Sequence, residues 1–136
     1  ARPVFLQQVH GFDAVPLASD TPHGTQADAC WTRERGVACT IMVADCLPVL
    51  LTDRAGTFVA AAHCRWRGLA GANGRGVLES LWDSCRTQVA ARDTLAWLGP
   101  CIGPTAFEVG DEVKAAFEAV DAKASRRFTP AWPAGK

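Results

Sequence analysis

Two apolar runs separated by a short polar turn dominate the pattern of hydrophobic and polar positions. The first run extends from Thr40 to Thr52 and the second from Thr57 to Ala62, with residues 53–56 between them. Runs of this length that are rich in Val, Ile and Leu and bounded by turn residues are typical of strands buried on both faces. The pattern therefore predicts two buried strands joined by the turn.

Three side chains interrupt this apolar pattern. Asp45 and Cys46 break the first run, and His63 ends the second. A buried strand has little room for an unpaired carboxylate or imidazole, because such a group loses its hydrogen bonds to water on burial. We therefore expect these side chains to have partners, and a functional site to lie at the break and at the strand end.

The rest of the pattern predicts an α/β fold in one domain spanning residues 1–136. Apolar residues at spacings of three and four mark the helices, and shorter apolar runs bounded by turn residues mark the strands. The predicted strands lie near residues 4–10, 27–32, 38–44, 48–52, 57–63 and 94–98. The predicted helices lie near residues 74–91 and 111–121, and the small residues 68–74 are expected to form a loop.

Composition excludes several classes of protein. The formal net charge is zero, so the chain has no basic excess to bind nucleic acid. No apolar run approaches the roughly 20 residues that a membrane span needs. The N-terminal residues lack a signal-peptide pattern. We expect a cytoplasmic monomer that binds small molecules.

Six cysteines lie at positions 30, 39, 46, 64, 85 and 101. An even number is compatible with three disulfides, but several of these residues lie inside strand or helix patterns of a chain with a large apolar content. Buried free thiols in a reducing cytoplasm are the favoured interpretation. Cys39 and Cys85 in particular are predicted to be buried and reduced.

Three potential metal ligands, His10, Cys46 and His63, fall at predicted strand ends. Two imidazoles and a thiolate suit zinc, and copper less specifically. Three protein ligands leave a fourth position open, as in catalytic zinc sites. The spacing matches no local metal motif, so two other interpretations stay open: core histidine and buried thiols without a metal, or a nucleophilic Cys46–His63 pair.

Charged residues flank these candidates. Asp45 precedes Cys46 and is a candidate for proton transfer or for orienting a ligand. Strand alternation after His63 would place Arg65 and Arg67 on one side and Trp66 on the other. Two arginines beside a metal suit an anion such as phosphate, because guanidinium binds oxygens bidentately. Salt bridges on a surface turn are the alternative.

Four segments in order resemble the YfiH-like laccase-domain proteins, also called multicopper polyphenol oxidoreductases and purine nucleoside phosphorylases. They are Gln8-Val9-His10-Gly11, Ala44-Asp45-Cys46-Leu47-Pro48-Val49-Leu50, Ala62-His63-Cys64-Arg65-Trp66-Arg67-Gly68, and Gly99-Pro100-Cys101-Ile102-Gly103-Pro104 followed by Phe107-Glu108-Val109-Gly110. The resemblance implies that the equivalents of His10, Cys46 and His63 bind zinc. It also implies a layered sandwich of mixed β-sheets flanked by helices, similar to the fold of toxin deamidases.

The resemblance further implies phosphorolysis of adenosine or inosine to a base and ribose 1-phosphate, in some members with adenosine deamination. Cys46, His63, Asp45 and Arg67 are then the candidate catalytic residues, and Arg65 and Arg67 the candidate substrate-binding residues. Copper-dependent oxidation of phenols is the older assignment of the family. Editing of peptidoglycan precursors is attached to some bacterial members.

This chain departs from the family at two points. Cys64-Arg65 stands where the family usually has Ala-Gly, which affects the backbone path and adds charge near the predicted metal. The family domain is also longer, so the domain is expected to be incomplete at both ends. A non-catalytic zinc-binding or partner-binding domain is therefore a further alternative.

Overall fold

The computed structural model describes residues 1–89 and 93–131. They belong to two compact units, Ala1–Cys101 and Ile102–Lys136. Among the described residues, the first unit carries two β-sheets and two α-helices, and the second carries one α-helix and one 3-10 helix. A single domain that is incomplete at both ends stays a prediction.

The first unit is built around a five-stranded sheet. In chain order the strands of this unit are β1 (Arg2–Phe5), β2 (Ala14–Pro16), β3 (Ala29–Thr32), β4 (Val37–Thr40), β5 (Leu47–Asp53), β6 (Val59–Cys64) and β7 (Thr94–Leu98). The large sheet has the order β2-β3-β6-β5-β7. Strands β2 and β3 are parallel and the other neighbours are antiparallel, so the sheet is mixed. Strands β1 and β4 form a separate parallel pair.

The large sheet lies between helix α2 (Val77–Cys85) and the β1–β4 pair. Alternation along β6 divides its small side chains between the two sides. Ala60 and Ala62 pack with Val77, Leu81 and Cys85 of α2. Ala61 belongs to the cluster that contains residues of β1 and β4, among them Val4 and Val37. This layered α/β arrangement confirms the predicted fold class.

Helix α2 is shorter than predicted. The apolar spacing predicted residues 74–91, whereas the helix runs from Val77 to Cys85. Gly74 has a positive φ of 75°, which places it in a turn before the helix. The Gly76 N–H donates to the Glu79 carboxylate at 2.9 Å and so caps the first turn. Residues 90 and 91, at the predicted end, lie outside the described residues.

All six predicted strands form, most of them with different boundaries, and the structure adds a seventh, β2, that was not predicted. The strand predicted at 4–10 ends at Phe5, the one predicted at 38–44 ends at Thr40, and β7 matches its predicted range of 94–98. Burial on both faces, predicted for the two long runs, is confirmed along most of β6 but is wrong for β5, where Leu50 is exposed. Residues 66–70, part of which was predicted as a loop, form helix α1 (Trp66–Ala70).

All six cysteines lie within the described residues and are free thiols. Cys85 is buried as predicted, but Cys39 is only half-buried because it lines an open cavity together with Leu50 and Trp97. A hydrogen bond with the Cys30 thiol and burial together raise the pKa of Cys39 well above its usual range. The Cys39 thiol is therefore protonated at neutral pH.

The second unit contains α3 (Asp111–Glu118), followed by a 3-10 helix, Ala122–Arg127. Helix α3 confirms most of the predicted range 111–121. Its N-cap is Gly110, and Asp111 lies in the first turn, where its negative charge complements the helix dipole. The rings of Phe117 and Phe128, 6.4 Å apart, join the two helices.

Within residues 1–89 and 93–131, no helix combines the length and apolar character required to cross a membrane.

Candidate metal centre

The structure brings His10, Cys46 and His63 together at one end of the large sheet. Their potential ligand atoms all lie within 4.8 Å of one another. The two imidazole rings have centroids 5.0 Å apart and planes inclined by 53°. Two nitrogens and one sulfur from three separate segments therefore face a common point, and their roles as ligands stay predictions.

The pairing of β5 with β6 places two of these residues side by side. In this antiparallel register Leu47 pairs with Cys64, and Pro48 pairs with His63. Cys46 immediately precedes β5, so it lies beside the end of β6 that carries His63. Neighbouring strands are about 4.8 Å apart, which is close enough for a thiol and an imidazole to share one ion.

A buried aspartate, Asp28, connects His63 to the segment that carries His10. Its side chain is fully buried, with 0% exposure. Its carboxylate accepts hydrogen bonds from the backbone N–H groups of Val9, His10 and Gly11 at 3.1, 3.0 and 2.9 Å. The Nδ1 atom of His63 lies 2.8 Å from Oδ1 of the same carboxylate. These contacts hold residues 9–11 in a bend rather than in a strand.

The charge of Asp28 determines which nitrogen of His63 is available. Burial alone would raise the pKa of Asp28, but the hydrogen bond from His63 and those from the three backbone amides outweigh it and lower the pKa. An ionised carboxylate can only accept, so Nδ1 of His63 must carry the proton that it donates. The lone pair of the neutral ring is then on Nε2, which is the atom left for a metal.

The backbone of His10 adopts a left-handed conformation, with φ of 60°. Non-glycine residues rarely adopt this region, because the Cβ atom crowds the backbone. Three successive amides bound to Asp28 stabilise the bend and offset this cost. The same bend turns His10 toward His63.

The side chain of Gln8 holds the segment that precedes Cys46. Its amide nitrogen donates to the Met42 carbonyl at 2.8 Å, and its amide oxygen accepts from the Met42 N–H at 2.8 Å. This two-way contact joins the two loops that supply His10 and Cys46. Asp28 and Gln8 together link all three candidate ligands.

Helix α1 closes the site from the side of the His10 loop. Gly68 in this helix is buried, and a Cβ atom there would lie 2.7 Å from the backbone oxygen of Gly11. Such a distance is shorter than van der Waals contact, so only glycine allows the helix to approach the loop this closely. The two segments thus depend on each other for their positions.

The predicted alternation of Arg65, Trp66 and Arg67 is wrong. The strand ends at Cys64, Arg65 is the N-cap of α1, and the helix begins at Trp66. In a helix, adjacent side chains point about 100° apart rather than to opposite faces. Arg65 and Arg67 are both exposed, and the guanidinium carbon of Arg67 lies 5.1 Å from the centre of the Trp66 ring.

Two other residues named from the sequence occupy clear positions. Asp45 is exposed in the bend before Cys46, at the predicted break between two strands. Cys64 is buried in the core against α2. Burial, followed by the nearby charges of Cys46, Asp28 and Glu79, raises the pKa of Cys64 to about 12. Cys64 is therefore a protonated core thiol.

The donor set fits a zinc ion. One ion bound to all three atoms would hold them about 3.5 Å apart, which the observed limit of 4.8 Å accommodates with small side-chain adjustments. The buried carboxylate on His63 Nδ1 is also the partner that metal-bound imidazoles commonly have. Cys46 is half-buried and His10 is exposed, so an ion there would be accessible to small molecules.

Sequence reasoning missed Asp28 and Gln8. Asp28 is the one charged residue in the otherwise apolar or polar-neutral stretch from Gln26 to Thr32, and a carboxylate at the start of a buried strand was a signal. Gln8 lies in the His10 motif, but its link to Met42 crosses 34 residues. No local pattern predicts a contact of that span.

A family model described as multi-copper polyphenol oxidoreductase laccase matches residues 1–136. The chain is 52% identical over 135 residues to a purine nucleoside phosphorylase of Pseudomonas aeruginosa, covering 99% of this chain and 52% of that protein. It is 38% identical over 91 residues to the adenosine deaminase RL5 of an unknown prokaryotic organism, covering 67% of this chain and 34% of that protein.

The chain is also similar to a solved structure, the Neisseria meningitidis protein NMB0706. The identity is 43% and the TM-score 0.81, with 91% of this chain and 49% of that chain covered. The chain thus spans about half the length of the Pseudomonas and Neisseria relatives. The matched family model, these relatives and the shared fold establish that this chain belongs to the multi-copper polyphenol oxidoreductase laccase family, whose YfiH-type members are named purine nucleoside phosphorylases.

Proposed function

We propose that this chain carries the zinc site of a cytoplasmic enzyme that cleaves purine nucleosides with phosphate. The observation that carries the proposal is the convergence of His10, Cys46 and His63 in a family whose relatives are named purine nucleoside phosphorylases. The substrates are adenosine or inosine, and the products are the free base and ribose 1-phosphate. The chain spans about half the length of its relatives, so the activity of the whole protein is part of this proposal.

His10, Cys46 and His63 would hold the ion, with Cys46 as the thiolate and both imidazoles neutral. Bound zinc would supply a Lewis acid that orients phosphate and neutralises its charge. Phosphorolysis forms a bond between a phosphate oxygen and the ribose carbon while the bond from that carbon to the base nitrogen breaks. The chain's own residues contribute binding and positioning to this exchange.

Arg67 and Arg65 are proposed to attract phosphate to the site. Both are exposed and follow the ligand His63 closely in the sequence. Arg67 lies on helix α1, whose Gly68 contacts the His10 loop. A guanidinium group binds phosphate oxygens bidentately, so these residues would contribute most to phosphate affinity. Asp45, exposed beside Cys46, is proposed to accept or deliver a proton at the departing base.

Deamination of adenosine is a second candidate, favoured by the relative named adenosine deaminase RL5. It would use the same three ligands, with water in place of phosphate. Copper-dependent phenol oxidation is less favoured, because a multicopper oxidase needs several coppers. Within residues 1–89 and 93–131, His10, Cys46 and His63 are the one group of three side chains placed to share an ion. Editing of peptidoglycan precursors and zinc binding without catalysis are the remaining alternatives if nucleoside turnover is absent.

The proposal is tested by measuring nucleoside turnover and metal content in the same preparation of full-length protein. Inosine and phosphate are supplied, base release is followed, and bound zinc and copper are quantified. Cys46→Ala is expected to remove most of the zinc and to reduce turnover at least about 100-fold, because one of three ligands is lost. Cys101→Ala, which alters an exposed free thiol, is the matched control and should retain both.

Zinc-free wild-type protein with full turnover would overturn the metal requirement. Zinc-loaded protein that leaves inosine and adenosine unchanged would overturn the substrate assignment. Oxygen uptake with a phenol, by a preparation that contains copper, would favour the oxidase instead.

The role of Arg67 is tested by comparing KM values. Arg67→Ala is expected to raise the KM for phosphate about tenfold, because a charge-assisted hydrogen bond is lost, and to change the KM for inosine much less. Arg86→Ala removes an exposed arginine whose ion pair with Asp83 lies on α2, and it is the control for loss of positive charge. An unchanged phosphate KM in Arg67→Ala would assign that residue a structural role.

A further inference from the structure

We propose that Asp28 is the positioning residue of the metal centre: one carboxylate sets the tautomer of His63 and the backbone position of His10, so that both imidazoles face one ion. The proposal rests on the metal site of the proposed function and extends it to a residue outside the ligand set. Asp28 would touch neither the ion nor the substrate and would act through the two histidines.

The hydrogen bonds of Asp28 use both oxygens fully. Oδ1 accepts from the His10 N–H at 3.0 Å and faces His63 Nδ1 at 2.8 Å. Oδ2 accepts from the N–H groups of Val9 and Gly11 at 3.1 and 2.9 Å. A carboxylate offers about four acceptor positions on its two oxygens, so four donors saturate it. Water cannot replace these contacts, because the side chain has 0% exposure.

A single atom therefore connects the two histidines. Oδ1 of Asp28 binds the backbone of His10 and the ring of His63, which come from different segments of the chain. The distance between these segments is fixed by two hydrogen bonds that share an acceptor. Asp28 therefore positions both histidine ligands, in addition to closing the bend at residues 9–11.

An amide in this position cannot reproduce the pattern. In Asp28→Asn one of the two terminal atoms becomes an NH2 donor, and in either orientation it meets groups that are themselves donors. One orientation disturbs Val9 and Gly11, and the other disturbs both histidines. The substitution preserves the size of the side chain. The backbone carbonyl of residue 28 accepts from the backbone N–H of His63 at 2.7 Å, and the variant retains this main-chain hydrogen bond.

The chain offers a matched control in Asp53. This carboxylate is also nearly buried, at 5% exposure, and also accepts from a backbone N–H and a side chain, both of Thr57. It lies at the opposite end of β5 from Cys46, and a seven-residue strand spans about 20 Å. Asp53→Asn thus makes the same chemical change far from the metal ligands.

The first experiment measures zinc affinity of full-length protein by competition with a chromophoric chelator. Asp28→Asn is expected to bind zinc about 10–100-fold more weakly than wild type, because the histidines lose their orienting partner. Asp53→Asn is expected to retain wild-type affinity. In the cobalt-substituted protein, the absorption bands of the metal should shift in Asp28→Asn and stay unchanged in Asp53→Asn.

The second experiment uses wild-type protein alone, so it does not depend on the folding of a variant. Nitrogen-15 NMR of the metal-free protein reports the protonation of each ring nitrogen, and His63 is expected to carry its proton on Nδ1. A His63 ring that carries its proton on Nε2 and none on Nδ1 would overturn the proposal. Wild-type zinc affinity in Asp28→Asn would also overturn it.

The two proposals fail in different ways. Zinc-loaded wild-type protein without nucleoside turnover would refute the proposed function, while the affinity and tautomer results would still support the role of Asp28. Conversely, full nucleoside turnover and unchanged zinc affinity in Asp28→Asn would refute the role of Asp28 and leave the proposed function standing.

Discussion

Each end of the β5–β6 pair has one buried aspartate, but the two ends are held together in different ways. At one end, Cys46 and His63 meet beside Asp28, whose hydrogen-bond donors lie 17 to 35 residues away in the sequence. At the other end, residues 53–56 turn the chain, and Asp53 accepts from Thr57 only four residues away. A buried carboxylate organises each end.

The difference shows what each carboxylate contributes. Asp53 closes a local turn, so its effect is expected to stay in the turn. Asp28 ties together segments that have no sequence proximity, so a disturbance there reaches two candidate ligands at once. The close approach of Gly68 to Gly11 belongs to the same long-range network, whereas Gly56 serves the local turn.

The largest effect is expected from replacing Gly68 by alanine, and the same replacement at Gly56 is the comparison. Gly68→Ala would place a Cβ 2.7 Å from the Gly11 carbonyl, so the helix or the loop must move. We expect a loss of about 1–3 kcal/mol of unfolding free energy from this overpacking, together with weaker zinc binding. Gly56→Ala meets no atom within 4 Å but must adopt a φ of 67°, which should cost about 1 kcal/mol without affecting zinc.

Urea unfolding and zinc competition measure both variants side by side. Equal zinc affinity in Gly68→Ala and Gly56→Ala would contradict this difference between the two ends, because it would show that the site end tolerates displacement as well as the turn end. A loss of zinc confined to Gly68→Ala would support the difference.

A smaller effect is expected from the turn carboxylate as the pH changes. Hydrogen bonds from the Thr57 hydroxyl and backbone N–H lower the pKa of Asp53 below that of an unfolded aspartate, about 3.9. Its contribution to stability is therefore fully present above that unfolded pKa, and it is lost as the pH falls through the lower folded pKa. Asp53→Asn should thus be less stable than wild type near neutral pH, and the difference should shrink below about pH 4.

The measurement is the midpoint of urea unfolding for wild type and Asp53→Asn across this pH range in metal-free protein. A difference that stays constant from neutral to acidic pH would show that the turn does not depend on the charge of Asp53. Zinc affinity at neutral pH should be the same in both proteins.

The local pattern of apolar and polar residues predicted much of the fold, because each buried strand or helix face needs apolar residues at its own spacing. The break at Asp45 and Cys46 separates β4 from β5 as expected, and the helical spacing around Leu81 marks α2. Boundaries were less accurate. The run that predicted a strand to His10 ends at Phe5, because the Gln7 backbone bonds to Thr25 and Ala27 instead of β4, and the amides of residues 9–11 bind Asp28.

The sequence by itself determined the α/β class, the candidate ligands His10, Cys46 and His63, and the family, since these depend on periodicity, side-chain chemistry and ordered motifs. The tertiary structure alone decided that the three ligand atoms meet, that Arg65 and Arg67 belong to a helix turn rather than a strand, and that Asp28 links two histidines. These features depend on hydrogen bonds and close contacts between segments far apart in the chain. Such contacts have no signature in local sequence, because the partners become neighbours only when the sheet has formed.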